Sequence, residues 1–342
     1  MITWVVRGIA MTAVAVSMAA AVSGASQPAA AAAPATTASV TSASRHLFWR
    51  IAYEPHIRNG VMTGVTAPAS DAVWAIGRVY PKHGTGPYFL LHWNGKHWRK
   101  SGMPAHGYRA DTVMASSARN VWMFGWTGKT PLALRWNGHH WLRIAEPSEA
   151  QFGLQSEAVF SATDVWVANG AYAARWTGSR WIQVPLPVPV QQLSGSSPRD
   201  VWVAGIEAGG KLAAYRYENR KWHPVPMPHP AATFAGLVVQ SATSVFVTAI
   251  TTTSQPLLHW NGHRWHRLTR RVGYIPIPMA AYGRDGVWVN PGTVWTGRSW
   301  ALVGGPGDIG AVLPEGLASV PRSTSAWLVA NASPGAVVLR AR

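Results

Sequence analysis

Carboxyl groups are the first candidates for chemistry, because a glycosidase needs two of them flanking the scissile bond. The chain has 13 Asp and Glu residues among 342. Most of the Asp residues stand just before a Val-Trp unit, where a short carboxylate is expected to fix the start of a strand: Asp71, Asp164, Asp200 and Asp285. Asp111 and Asp308 lie outside that pattern, and Glu146 and Glu149 are predicted to be a solvated pair in a loop. The sequence therefore indicates no catalytic pair.

Other reactive groups give no stronger signal. The absence of cysteine excludes disulfides, thiolate nucleophiles and Cys-ligated metal sites. No G-x-S-x-G, H-E-x-x-H or glycine-rich phosphate loop occurs, and the 13 histidines lack metal-ligand spacing. We predict no catalytic residue, no metal and no cofactor.

Aromatic and basic residues in irregular loops are the best binding candidates, since recognition is expected where loops depart from a repeat. The longest departure is the segment RVYPKHGTGPY (Arg78–Tyr88). The candidates in this and the adjacent loops are Tyr80, Lys82, His83, Tyr108, Arg109, Trp126 and Lys129. Aromatic faces beside cations suit an anionic or sugar-rich ligand. The alternative is a loop that grew because surface insertions cost little.

A repeat must position these loops. A Val-Trp unit such as DVWVAG (Asp200–Gly205) occurs in seven copies, strong or weak, spaced 36 to 48 residues apart. A second unit such as HWNGKHW (His92–Trp98) follows every copy except the last and predicts a hairpin turned at Asn-Gly or Thr-Gly. A further short strand precedes each Val-Trp unit. Four short antiparallel strands in about 42 residues predict one blade of a β-propeller.

The ends of the repeat region predict how the ring closes. The seventh copy stops after its third strand, GAVVLRAR (Gly335–Arg342), and HLFWRIA (His46–Ala52) matches the missing fourth strand. We therefore expect an all-β, seven-bladed propeller over 46–342, closed by the N-terminal strand completing the last blade, which removes exposed sheet edges. An open solenoid or two sandwiches would not explain two partial repeats that sum to one.

Tryptophan is unusually abundant, with 20 residues. Eighteen of them occupy fixed repeat positions, which predicts packing between blades. Trp4 lies in the N-terminal segment, and Trp126 alone falls outside the pattern within the repeats.

The first 45 residues lack the repeat. Residues 1–25 read as a secretory signal peptide, with Arg7 followed by an apolar run and small residues. Residues 26–45 are an Ala/Pro/Ser/Thr-rich linker predicted to be disordered. We expect a secreted, extracellular protein without a transmembrane segment in its mature form.

The net charge of +17 predicts attraction to polyanions, in a salt-sensitive and weakly selective manner. A solvated basic rim that only keeps the protein soluble is the alternative reading.

The pattern D-V-W-x-x-G followed by H-W-N-G-x-x-W resembles the repeats of secreted β-propeller proteins from high-GC Gram-positive, actinobacterial-type bacteria. The resemblance covers 46–342; it implies the architecture and says nothing about activity. The WD40, kelch and sialidase motifs are not met, so no catalytic residue is carried over from those families.

These observations favour a non-enzymatic, exported and monomeric binding scaffold. Its partner would be an anionic polymer or polysaccharide of the cell envelope, or a protein, and not a specific nucleic acid sequence. The alternative is a carbohydrate-active enzyme, a glycoside hydrolase or lyase, with its site at the mouth of the propeller channel. Convergence of Asp111, Asp308 or a Glu on a second carboxylate would favour the enzyme.

Overall fold

A computed structural model describes residues 47–82, 86–147, 154, 156–170, 172–228, 233–250, 256–268, 279–305, 313–331 and 335–341. The predicted signal peptide and linker lie outside the described residues. Within these ranges the chain is all-β and contains no helix. No helix in this part of the chain is therefore long and apolar enough to cross a membrane.

Twenty-eight short strands follow one another along the chain. Those up to residue 145 are β1 (Leu47–Tyr53), β2 (Gly60–Ala69), β3 (Ala72–Val79), β4 (Tyr88–Trp93), β5 (Trp98–Gly102), β6 (Tyr108–Ser117), β7 (Asn120–Thr127), β8 (Thr130–Trp136) and β9 (Trp141–Ala145). The middle of the chain forms β10 (Ser156–Ser161), β11 (Asp164–Asn169), β12 (Tyr172–Trp176), β13 (Trp181–Val184), β14 (Val190–Ser197), β15 (Asp200–Ile206), β16 (Leu212–Glu218) and β17 (Lys221–Val225). The remainder forms β18 (Thr233–Ser241), β19 (Ser244–Ile250), β20 (Leu257–Trp260), β21 (Trp265–Leu268), β22 (Ala280–Tyr282), β23 (Gly286–Asn290), β24 (Thr293–Trp295), β25 (Trp300–Gly304), β26 (Leu313–Ser319), β27 (Ala326–Asn331) and β28 (Ala336–Ala341).

The strands pair in order. Five antiparallel sheets hold four consecutive strands each, from β2–β5 to β18–β21. The remaining strands form one sheet of eight, in the order β22-β23-β24-β25-β1-β28-β27-β26. In it, β1 pairs antiparallel with β28, and a short parallel pairing joins Leu47 to Val303 and Phe48 to Gly304. The first and last described strands of the chain are therefore neighbours.

The sheets are arranged around an axis. The first strand of each consecutive group of four contacts the first strand of the next, from β2 through β6, β10, β14, β18 and β22 to β26. The circle then closes, because β26 contacts β2. This layout is that of a β-propeller, and it places the starts of the inner strands at one end of a central channel.

Aromatic residues fill the seams between neighbouring sheets. The central-strand residue Trp74 contacts Trp136 and Trp141 of the next sheet, with ring centroids 5.7 and 5.6 Å apart. Trp327 makes the same pair of contacts with Trp93 and Trp98. Each core is thus shared by two sheets, so neighbouring sheets stabilise each other.

The turn glycines and the repeat aspartates stabilise turns and strand pairs within a sheet. Gly95 has a φ of 91° in the Asn-Gly turn, a conformation that glycine adopts without strain. Asp200 accepts hydrogen bonds of 2.9 Å from Trp202 Nε1 and from Arg216 Nε on the adjacent strand. Asp164 pairs in the same way with Arg175. These two carboxylates tie the second strand of a sheet to its third, mainly through arginine rather than turn N–H groups.

Candidate functional site

Several of the predicted ligand-binding residues meet at one end of the channel, where β3 and β7 end and β6 begins. A β-bulge between Ala110 and Thr112 leaves Asp111 without a register partner on β7. Asp111 Oδ2 accepts a hydrogen bond of 2.8 Å from Trp126 Nε1. Gly125 permits the bulge, since a Cβ there would lie 2.0 Å from the carbonyl oxygen of Arg109.

Trp126 differs from the other tryptophans that the structure describes. Each of the others lies in ring contact with a Trp, Tyr, Phe or His side chain, whereas Trp126 has no such contact among the described residues. Its ring is partly exposed, and only its N–H is fixed, by Asp111. Trp126 is therefore a partly exposed indole that takes no part in the aromatic contacts between sheets.

Basic side chains lie near Asp111 and Trp126. Arg109 is the register partner of Trp126 and donates from Nη2 to the carbonyl of Gly128 at 2.8 Å, beside the exposed Lys129. The guanidinium of Arg78 lies 4.2 Å from the ring centroid of Tyr80, which is 47% exposed. Arg78 and Arg109 both lower the pKa of Asp111, so Asp111 connects the Tyr80 side of the site to the Trp126 side.

The remaining predicted residues are placed differently. Lys82 is exposed next to Tyr80, and His83 lies outside the described residues. Tyr108 is not a surface residue: it is 2% exposed, and its hydroxyl donates to the carbonyl of Leu132 at 3.0 Å. The ring of Tyr108 is buried at the start of β6, so it presents no face to a ligand. The predicted ligand-binding residues that remain as candidates are Tyr80, Lys82, Arg109, Trp126 and Lys129.

Sequence reasoning missed a group of acids beneath this surface. Asp111 lies close enough to raise the pKa of both Glu146 and Glu157, and Glu157 also raises that of Glu146, although the three come from β6, the residue after β9, and β10. Burial, as the main cause, raises the pKa of Glu146 to about 8 and that of Glu157 to about 7. The backbone N–H of Gly125 offsets part of the rise at Glu146.

Asp111 and the two glutamates differ in exposure. Burial also raises the pKa of Asp111, against the hydrogen bond from Trp126 and the nearby arginines, yet its side chain reaches solvent. Glu157 is 8% exposed, and the Oε1 atoms of Glu146 and Glu157 are buried without a hydrogen-bond partner among the described residues. The expectation of a solvated loop pair at Glu146 is therefore wrong for that residue, and Glu149 lies outside the described residues.

A signal for Glu157 was present in the repeat. The strand register places it opposite Val167, one position after the central Trp166. The matching positions of five other sheets are apolar: Val65, Val113, Leu193, Leu237 and Leu317. A carboxyl group at a position that is apolar in the other sheets could therefore have indicated a functional or titrating residue between β6 and β10.

Metal binding has no support in this part of the molecule. No group of three or more His, Asp or Glu side chains in the described ranges could hold a metal ion. Asp308, the other unassigned aspartate, lies outside those ranges.

No protein-family model matches the chain, and no curated protein matches its sequence. Solved structures do match its fold. A streptogramin B lyase aligns with a TM-score of 0.65 at 12% identity, covering 87% of this chain and 98% of that one. A catalytically inactive virginiamycin B lyase from Staphylococcus aureus, with quinupristin, gives 0.63 at 12% identity and covers 86% and 99%. YCF48 with a bound peptide gives 0.60 at 14% identity and covers 85% and 96%. At these identities the likeness concerns the fold alone, and with the strand layout it shows a β-propeller-like repeat fold.

Proposed function

We propose that the chain forms a seven-bladed propeller. The 28 strands divide into seven groups of four if the eight-stranded sheet is read as two blades, β22–β25 and β26–β28 with β1. Only two residue pairs join those halves, whereas β1 and β28 share a longer antiparallel register. The closed circle of seven inner strands supports the same count.

We propose further that this propeller is an exported, monomeric, non-enzymatic binding protein. The observation that carries the proposal is the ring of Trp126, held by Asp111 and left without an aromatic partner in the described structure. The other tryptophans that the structure describes all contact another aromatic or histidine ring. The signal-like residues 1–25 and the net charge of +17 support a role at an anionic surface outside the cell.

The chemistry of the site favours an anionic, sugar-rich polymer of the cell envelope over a protein. Lys82, Arg109 and Lys129 supply donors for carboxylate or phosphate oxygens, and Trp126 and Tyr80 supply flat apolar faces. The solved neighbours include lyases and a peptide-binding protein. The fold by itself therefore does not select a ligand.

Binding of the purified protein to isolated cell walls and to a glycan panel, over a salt titration, tests the proposal. The Tyr80→Ala, Trp126→Ala double variant should lose at least about tenfold in affinity, because two aromatic contacts are removed. Ile182→Ala is the control, because it removes a 42% exposed apolar side chain outside the site. Tyr53→Ala would not serve, because Tyr53 stacks on Trp98. Unchanged affinity of a folded double variant would refute this site.

A second function, a carbohydrate-active hydrolase or lyase, is favoured by the three acids. An ionised Asp111 beside a protonated Glu146 or Glu157 would provide the two protonation states that general acid–base catalysis requires near neutral pH. We rank it second because Asp111 is the exposed member of the three, whereas Glu157 is 8% exposed and the Oε1 atoms of Glu146 and Glu157 are buried.

The enzyme hypothesis has its own assay. Release of reducing ends or unsaturated products from the bound glycans is measured for the wild type, Asp111→Asn and Glu157→Gln. Turnover by the wild type that falls at least 100-fold in Asp111→Asn, with binding retained, would replace the scaffold by an enzyme. Absence of turnover at every pH between 4 and 9 leaves the binding function.

A further inference from the structure

A cavity that shares no residue with the Trp126 site lies between β1 and the β4–β5 hairpin. It has a volume of about 530 Å³, within the range of small-ligand sites. Its lining includes Phe48, Arg50, Trp93, Trp98, Trp327 and Arg340. We call this cavity the β1 groove.

The two arginines of the β1 groove stand directly opposite each other. Arg50 of β1 is the register partner of Arg340 of β28, and both line the cavity. Like charges at such a cross-strand pair destabilise a sheet. Their Cα atoms are about 5 Å apart by strand geometry, so both guanidinium groups can approach one anion. No acidic side chain lines the groove, and the side chain of Arg50 has no hydrogen bond or ion pair among the described residues.

The other wall of the groove is aromatic and apolar. Trp93 and Trp98 are partly exposed, and Phe48 is 44% exposed, which is high for a large apolar side chain. The guanidinium of Arg340 lies 4.8 Å from the ring centroid of Trp327, which holds this cation at the floor of the groove. A ligand that fits the groove needs an apolar ring face for the aromatic wall and an anionic group for the two arginines.

We propose that the β1 groove binds an acidic saccharide, a sugar ring that carries a carboxylate. The carboxylate lies between Arg50 and Arg340 and accepts charge-assisted hydrogen bonds from both. The ring packs on the indole faces of Trp93 and Trp98. This site is separate from the Trp126 site and does not depend on it.

The test uses a galacturonic acid trisaccharide as the probe and a neutral galactose trisaccharide as its control, with binding to the purified protein measured by calorimetry. The wild type should bind the acidic probe at least about tenfold more tightly than the neutral one, because neutral sugar lacks the charge-assisted bonds. Equal binding of both probes, or no binding of the acidic one, overturns the proposal.

The decisive variant is Arg50→Glu. It replaces a like-charge pair by an opposite-charge pair with Arg340, so its melting temperature should equal or exceed that of the wild type while affinity for the acidic probe falls at least tenfold. Arg143→Glu, on the exposed side of β9, makes the same charge change in another seam and should retain binding. Equal loss in both variants would mean unspecific attraction to the basic surface and would overturn the site.

The Tyr80→Ala, Trp126→Ala variant separates the two sites. It should bind the acidic trisaccharide as the wild type does, whatever happens to its polymer binding. Loss of the trisaccharide in this variant would place that sugar at the Trp126 site and refute the β1 groove as its location.

Discussion

The buried carboxyl group of Glu157 should make the protein less stable as the pH rises. Its pKa is raised from 4.5 to about 7, because burial at a seam position that is apolar in other sheets penalises the charged form. An acid whose pKa is raised by folding favours the folded state while it stays protonated. The contribution is therefore complete below about pH 4.5 and is lost as the pH passes through about 7.

The size of the effect follows from the two pKa values. A rise from 4.5 to about 7 corresponds to about 3 kcal/mol of folding free energy lost above pH 7. For a domain of this size that equals roughly 5 °C in melting temperature. Glu157→Gln keeps the shape of the protonated acid and cannot ionise, so it should melt near the wild type at pH 4.5 and roughly 5 °C above it at pH 8.5.

Thermal unfolding of the wild type and Glu157→Gln at both pH values is the assay. Glu54→Gln removes an exposed carboxylate and serves as the matched control, with no pH-dependent gain expected. Glu146 still titrates in the Glu157 variant, so its pH dependence should shrink and not vanish. Parallel pH profiles for the wild type and Glu157→Gln would refute the buried-acid reasoning.

Three further outcomes are expected. Glu157→Leu, which installs the side chain found at the matching positions of β14 and β18, should raise the melting temperature at pH 8.5; a lower value would mean that the seam is built around the carboxyl group. Asp200→Ala should cost about 3 kcal/mol in urea unfolding, because the buried Trp202 Nε1 loses its acceptor and Arg216 keeps only the longer pair with Glu218. Exposed Asp71→Ala should cost under about 0.5 kcal/mol. Gly125→Ala should destabilise the protein by about 2 kcal/mol, because its Cβ would clash with the carbonyl of Arg109. Gly102→Ala is the control and should be nearly neutral, because the space around its Cβ is open. Equal stability of the two alanine variants would argue against the close approach of β6 and β7.

The repeat determined much of the architecture in advance. The Val-Trp units became central strands and the Asn-Gly units became hairpin turns, because turn chemistry and alternation act over a few residues. The HLFWRIA segment was predicted to pair with the C-terminal strand since two incomplete repeats complement each other, and β1 does pair with β28. Trp126 was identified by its departure from the tryptophan pattern, and it is the described tryptophan without a ring contact.

The residues of the candidate site could be predicted only in part from the repeat pattern. Tyr108 looked like a loop residue because its sequence neighbours are His106, Gly107 and Arg109, but the strand starts at Tyr108 and its ring turns into the core. The side chain of a strand residue points to one face or the other, and a shift of one residue decides which.

Sequence by itself determined the period, the strand order and the ring closure, since these depend on local patterns repeated along the chain. Only the tertiary structure decided which distant groups meet. Asp111 and Glu157 belong to different repeats and converge because neighbouring inner strands are packed against each other, and their raised pKa values come from that burial. Arg50 and Arg340 lie near opposite ends of the chain and face each other because the circle closes between β1 and β28.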